Sequence, residues 1–451
     1  MCAVEHNWLC IFQHIWLKRK YEWSLIKNNV LETLEHASAK FQGTNEMKIC
    51  RVAFFTLFNP FTPYLGSKYV SGGIEGHVQY LSKALAKLGC EVWIVTMDNV
   101  KEKMIEKIDG VNLIVLPDEG STGLLRRSIF FILKSRSVIK SLGRHRINVF
   151  LSEGGLSSPL AFFKPKSAKT VLTVHTLDGE DLANIEDSLR LGMLKEGFAY
   201  AIKYLFLKVW RSFFLLRSDN LLFVSNAVYK EFRKYYWYLP QKKCLLTENG
   251  FPKMGKVGNI NNQKSIDFVY VGRIDKRKCV EDAIKAFRLL RNKIAFTVLI
   301  IGEGAYSSRI KSLVKNLELS ETIKFTGYIE SHEKVLEIVR SAKYLILPSS
   351  YESDPLVLKE ALSIGTPCIV SDIPALKEKV KDGKNGFIFK LHNFEDLSKV
   401  MELALSLDRN KYEEMCGGAR KSVVGRNWDE IAQQYLDVIK NEFFNENSKP
   451  S

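Results

Sequence analysis

Residues 342–367 read AKYLILPSSYESDPLVLKEALSIGTP, and this stretch decides the fold. An apolar run ending near Leu347 suits a buried strand, Pro348 to Pro355 form a loop, and Leu356-Val357 begin a helix that carries Glu360 and Ala361. Asp354 or Ser353 is expected at the N-cap, with Pro355 at the first helical position. Strand, loop and helix in this order put free backbone N–H groups and a positive dipole end at the edge of a parallel sheet, where an anion binds well. Glu352 and Glu360 stand eight residues apart, one in the loop and one two turns into the helix. One carboxylate then faces a ligand beside its phosphate while the other reaches a diol further back. An isolated glutamate on a helix is usually a solvated charge, but the whole arrangement reads as a ligand site.

Outward from this stretch, strand-like runs alternate with helix-period segments, the pattern of parallel βαβ units. In the first half, strands are expected at residues 51–56, 91–96, 113–116, 149–151, 169–174 and 220–224. Gly72-Gly73 opens a helix with Ile74, Val78, Leu81, Leu85 and Leu88 on one face, and Gly89 ends it. In the second half, strands are expected at residues 268–271, 297–301, 324–326, 344–347, 367–370 and 386–389. The α/β pattern predicts two similar Rossmann-like domains, residues 47–248 and 249–426, with a join near Asn249-Gly250. Residues 427–451 form a final helix and tail. Residues 1–46 are an extension in which an apolar run precedes its basic residues, the reverse of a secretory signal, and is too short to span a bilayer. Either Met47 is the natural start or the extension is an amphipathic anchor.

A chain of 451 residues exceeds what one core supports. Its eight cysteines are scattered, with no C-x-x-C pair and no histidines at zinc-ligand spacing, so reduced thiols, no metal and a cytoplasmic location are expected. The net charge of +16 calls for an anionic partner: nucleic acid, an acidic lipid surface or a phosphorylated ligand. The basic residues are dispersed and carry no nucleic-acid signature, so nucleic acid is not expected. Residues 124–146 and 193–217 combine aromatic with basic side chains. One such segment reads as a buried helix with snorkelling stems; two in the same half predict a peripheral contact with anionic membrane, at its inner face.

A second element, Gly272-Arg273-Ile274-Asp275-Lys276-Arg277-Lys278, follows the first strand of the second half. Together with Glu352, Glu360 and the run Ala361-Leu362-Ser363-Ile364-Gly365-Thr366-Pro367, it resembles the family 4 retaining glycosyltransferases (glycosyl transferases group 1), from about residue 47 to residue 435. The resemblance implies a GT-B fold, two facing Rossmann-like domains with the C-terminal helix packing back toward the first. It also implies an acceptor site in the N-terminal domain and a donor site in the C-terminal one. In that family the glutamate matching Glu360 binds the nucleotide ribose and the one matching Glu352 contacts the donor sugar, while Arg273 and Lys278 match cations that grip the diphosphate. Fixed cations act best there because a leaving nucleoside diphosphate gains charge as the glycosidic bond breaks. Arg277 is as readily a solvated charge. Ser353, Asp354, Pro355, Leu356 and Val357 match the helix tip at the phosphates, and His175 matches a histidine that contacts the donor sugar. Gly72-Gly73 correspond to a glycine-rich loop near the phosphates, Gly302-Glu303-Gly304 to a segment lining the nucleotide, Tyr328 to the place of the base, and Ser225-Asn226 to a segment near the cleft.

Two positions depart from the family pattern. Cys279 stands where a glycine usually follows the lysine, and Asp354 brings a negative charge to the phosphate end unless it turns away to cap the helix. The implied reaction is transfer of a sugar from a nucleoside diphosphate, uridine or guanosine, to a hydroxyl of a saccharide, lipid-linked glycan or lipid. Configuration is retained, and neither metal nor cofactor is needed beyond the donor as co-substrate. Two other readings stand beside it: a nucleotide-sugar epimerase of the same fold, which needs acid and base groups in the cleft, and a non-catalytic nucleotide-sugar binder.

Overall fold

The computed structural model describes residues 50–61, 73–118, 124–145, 147–153, 158–164, 168–190, 194–240, 243–251 and 264–443. Gly72, the 1–46 extension, most of the 249–264 join and the last eight residues lie outside them.

The first strand shows why the chain layers as it does. β1 (Arg51–Phe58) is a continuous apolar run buried along its middle, as a parallel strand covered on both faces must be. Val52 and Phe54 enter one core with the helix Gly73–Lys87, while Ala53 and Phe55 enter another on the opposite face with the helix Leu124–Arg144. The sheet continues through β2 (Glu91–Asp98), β3 (Met104–Ile108), β4 (Val111–Pro117), β5 (Val149–Glu153), β6 (Lys169–Val174), β7 (Asn220–Phe223) and β8 (Lys243–Leu246). Its order is β3-β4-β2-β1-β5-β6-β7-β8, with β3 antiparallel to β4 and the other pairs parallel.

The second sheet contains β9 (Ile266–Val271), β10 (Val298–Ile301), β11 (Ile323–Gly327), β12 (Ala342–Leu347), β13 (Cys368–Ser371) and β14 (Gly386–Phe389). All its pairs are parallel, in the order β11-β10-β9-β12-β13-β14. The order reverses between β9 and β12, so the loops leaving those two strands part to opposite faces and leave a crevice between them. The same reversal falls between β1 and β5 in the first sheet.

The chain passes between the domains twice, and the passages touch. Phe251 pairs with Asn427 in a short parallel bridge, and a Cβ on Gly250 would lie 2.9 Å from the Trp428 backbone. At the start of the join Asn249 is buried, and its hydrogen bonds to Asp354 tie it to the second domain. Beyond the second passage, the helix Trp428–Phe443 returns to the first domain. Its Trp428, Ile431, Ala432, Tyr435, Leu436 and Ile439, at helical spacing, share a core with Val78, Leu81 and Leu85.

Candidate active site

At the crevice between β9 and β12, Lys278 of one sequence element meets Glu352 of the other. After β9, Asp275 caps a short 3₁₀ turn, Lys276–Lys278, by accepting from the Lys278 backbone N–H. The turn aims Lys278 across the gap, where Nζ donates to Glu352 Oε1 at 2.5 Å. Ser349 Oγ donates to the same oxygen at 2.7 Å. Burial alone would raise the Glu352 carboxyl, but Lys278, Arg277 and Ser349 together outweigh it and hold the group below the usual carboxylate range.

Arg273 is placed differently. Its side chain is 60% exposed, 3.7 Å from Asp275, and among the described residues it forms no ion pair with Glu352 or Glu360. Of the two expected diphosphate ligands, the structure brings Lys278 to the signature glutamate and leaves Arg273 at the surface. Arg277 is mostly buried and reaches Glu180 of the first domain at 2.9 Å, so it is an interdomain cation rather than a solvated one.

The helix Leu356–Ser363 begins at the expected residue, but Pro355 stands just outside it rather than at its first position. Pro355 is the N-cap and gives no side-chain hydrogen bond, so neither Asp354 nor Ser353 caps it. Asp354 has a stronger partner. Fully buried Lys359 donates to its Oδ2 at 2.5 Å, and the Asn249 backbone N–H adds a second bond at 2.8 Å. The Asp354 charge is therefore bound inside the domain interface, and the tip of the helix is left free of a capping carboxylate. A Cβ on Gly76 would lie 3.1 Å from Leu356 Cδ1, so the first turns of the helices Gly73–Lys87 and Leu356–Ser363 face each other across the cleft.

Three residues absent from the sequence-based set, His332, Glu153 and His77, complete the surroundings. His332, at the start of the helix His332–Ser341, places Nε2 2.9 Å from Glu360 Oε1 and Nδ1 3.1 Å from Tyr80 Oη of the first domain. Burial pulls the His332 pKa down, but the bond to Glu360 and the charges of Glu360 and Glu333 raise it overall. On the other side of the cleft, His175 Nε2 lies 2.8 Å from Glu153 Oε2 at the end of β5, and Thr173 Oγ1 donates to the other oxygen at 2.9 Å. Burial pushes Glu153 up, yet His175, His77 and Thr173 keep it low. His77 Nδ1 lies 2.6 Å from Asn249 Oδ1, and burial drives this imidazole down to about 4 despite the opposing charge of Glu153. Two buried hydrogen-bonded groups, His175–Glu153 and His77–Asn249–Asp354, thus lie side by side, with His77 Nε2 3.9 Å from Glu153 Oε2.

The remaining expected positions have local structural reasons of their own. A Cβ on Gly302 would stand 2.0 Å from Gly272 O, and one on Gly304 2.4 Å from Ile274 O, so the loops after β9 and β10 can only stack with glycine there. Gly302 N donates to Gly327 O at 2.8 Å, and the next residue, Tyr328, is exposed. Ser353 and Val357 are partly buried, and Gly73 has open space above it. Ser225 caps its helix by accepting from Val228 N. Two sets of three metal-capable side chains meet within 4.8 Å among the described residues: His77, Glu153 and His175, and Asp187, Cys279 and His392.

Solved proteins share this architecture. Sucrose-phosphate synthase from Thermosynechococcus elongatus aligns with a TM-score of 0.68 at 20% identity, over 88% of this chain and 99% of that one. Anabaena Alr3699/HepE, solved in complex with UDP and glucose, aligns with a TM-score of 0.63 at 14% identity, over 87% and 100%. Two parallel-sheet domains facing across such a cleft are the GT-B fold. Residues 71–252 match the family described as Glycosyltransferase Family 4 and residues 256–422 match Glycosyl transferases group 1, and the chain belongs to this family. N-acetyl-alpha-D-glucosaminyl L-malate synthase of Bacillus anthracis is 24% identical over 61% of this chain and 69% of that enzyme.

Proposed function

We propose that this glycosyltransferase moves a sugar from a nucleoside diphosphate to a hydroxyl acceptor with retention of the anomeric configuration and without a metal in the chemistry. The observation that carries this reading is the Lys278–Glu352 pair beside the uncapped tip of the helix Leu356–Ser363, at the point where the sheet order reverses. A fixed ammonium and a helix N-terminus supply the positive field that a departing diphosphate needs, and both are in place before the charge develops. The solved complex of Anabaena Alr3699/HepE with UDP and glucose supports a nucleotide donor in a protein of this fold.

In this reading Lys278 and the helix tip bear the diphosphate, with Arg273 closing on it from the surface. Glu352 orients the sugar, His175 holds it from the opposite domain, and Glu360 takes the ribose diol once His332 releases it. The bond from the anomeric carbon to the phosphate oxygen breaks as the acceptor oxygen attacks the same face. The acceptor proton passes to the departing phosphate oxygen, giving a glycoside and a nucleoside diphosphate.

The acceptor is a saccharide or a lipid-linked glycan that meets the N-terminal domain. Leu194, Phe198, Ile202, Leu205, Val209, Phe213 and Leu216 form one exposed apolar stripe along the helix Leu194–Arg217, beside exposed Phe162, Trp237 and Tyr238. Such a face, in a strongly basic protein, suits the surface of an anionic bilayer. No helix among the described residues is long and apolar enough to cross a membrane.

A thermal-shift panel of nucleoside diphosphates and their sugars tests the donor reading, because a specific ligand raises apparent stability by mass action. A concentration-dependent rise for one nucleotide is expected, followed by a retained anomeric signal in NMR of the product. No shift with any of them, or an inverted product, would overturn the proposal.

A further inference from the structure

We propose that Asp187, Cys279 and His392 form a zinc-binding site that ties the two domains together. The three residues come from separate parts of the chain. Asp187 lies in the helix Asp178–Arg190 of the first domain, Cys279 directly follows the 3₁₀ turn Lys276–Lys278, and His392 lies in the loop after β14. One ligand atom from each meets the others within 4.8 Å.

The surroundings are those of a metal centre. Cations bound through imidazole usually have the second ring nitrogen donating to a carboxylate, which fixes the tautomer. Here His392 Nδ1 lies 3.1 Å from Asp282 Oδ2, leaving Nε2 to face Asp187 Oδ1 at 3.1 Å. Asp187 is oriented in its turn: Ser350 Oγ donates to its Oδ2 at 2.5 Å. Its Oδ1 is buried and receives no well-directed hydrogen bond from the described residues, so a carboxylate lone pair points into the cluster. Arg190, 3.2 Å from Asp282 and 3.8 Å from Asp187, balances the acidic excess, so that a divalent cation, a thiolate, two carboxylates and this guanidinium sum to neutrality.

The donor set selects the ion. Thiolate, imidazole and carboxylate suit zinc, whereas magnesium and calcium prefer oxygen alone. With three protein ligands, the fourth position goes to water beside His392, whose side chain is 16% exposed. Binding forms three metal–ligand bonds and releases two protons to solvent, one from the Cys279 thiol and one from His392 Nε2, which the flanking carboxylates otherwise keep protonated. Cys279 also holds a left-handed backbone, φ 48, where glycine would be unstrained. The site thus gives a reason for a cysteine at the position where the family pattern has glycine.

Cobalt(II) titration of the full chain tests the site, because a thiolate–cobalt charge-transfer band reports a sulfur ligand directly. The wild-type protein is expected to take up about one equivalent and to lose the band when zinc is added. Cys279→Gly, which suits the local backbone, is expected to fold and to lose both the band and any zinc-induced rise in Tm. His392→Ala should lose them too, and Asp282→Asn should weaken binding by about 10- to 100-fold. The proposal is overturned if the wild-type protein shows no band, or if Cys279→Gly binds cobalt or zinc as tightly as the parent.

Discussion

Lys278 Nζ sits 2.5 Å from Glu352 Oε1, closing the gap between two loops that are 74 residues apart in sequence and leave neighbouring strands of one sheet. The pair is mostly buried, so neither charge is well served by water, and each depends on the other until a ligand arrives.

Replacing Lys278 therefore acts on both the fold and the reaction, because it leaves the buried Glu352 carboxylate with only Ser349 and Arg277 beside it. Lys278→Ala should lower kcat by about 10²- to 10³-fold, the usual scale for removing one fixed group that stabilises a developing anion. Steady-state kinetics with the nucleotide sugar identified by thermal shift will measure it. An unchanged kcat would remove Lys278 from the chemistry.

Asp354 and Lys359 make a different test, because both side chains are fully buried. Lys359→Met leaves an uncompensated carboxylate and should destabilise the protein by about 3–5 kcal/mol. Converting Asp354 to Leu in the same chain should recover most of that loss. Urea unfolding of the single and double variants decides it. Equal destabilisation by both would mean that the charge pair is not the source.

The pair His332–Glu360 sets a pH dependence. Because the folded-state pKa of His332 is raised, its contribution to stability is complete below the ordinary histidine value and is lost as pH climbs through the raised value. The Tm gap between the wild-type protein and His332→Gln should thus be widest near about pH 6 and should narrow toward about pH 9. A gap that widens with pH would reverse the assignment.

Leu205 and Val209 are 66% and 74% exposed on the apolar stripe. Changing both to Glu should reduce partition onto anionic vesicles by at least about tenfold, since each buried aliphatic side chain contributes roughly 1.5–3 kcal/mol. Sedimentation with vesicles at low salt measures this. Equal partition of parent and variant would show that another surface makes the contact.

The parallel strands other than the short edge strand Lys243–Leu246, the signature helix and its two glutamates were legible because each rests on local periodicity and spacing. The antiparallel strand Met104–Ile108 was missed although Asp109-Gly110, at φ 49 and 84, carries the turn chemistry of a tight hairpin. His332, Glu153 and His77 were missed for another reason: each matters through a partner that only the sheet order brings near. The N-cap was displaced by one residue because local preference put Asp354 there, while Lys359 and Asn249 offered its carboxylate a buried partner set. Separate segments likewise supply Asp187, Cys279 and His392, so ligand spacing along the chain carried no trace of them.

The helix Trp428–Phe443 lies in the core of the first domain but is encoded after the second. During synthesis the leading half therefore waits on the ribosome with an apolar face of its helix Gly73–Lys87 uncovered, while the trailing half can already complete its own core. Order of translation and order of completion are reversed. Residues up to about 250 expressed by themselves would lack the closing segment, whereas supplying residues 428–443 as a separate peptide would restore it.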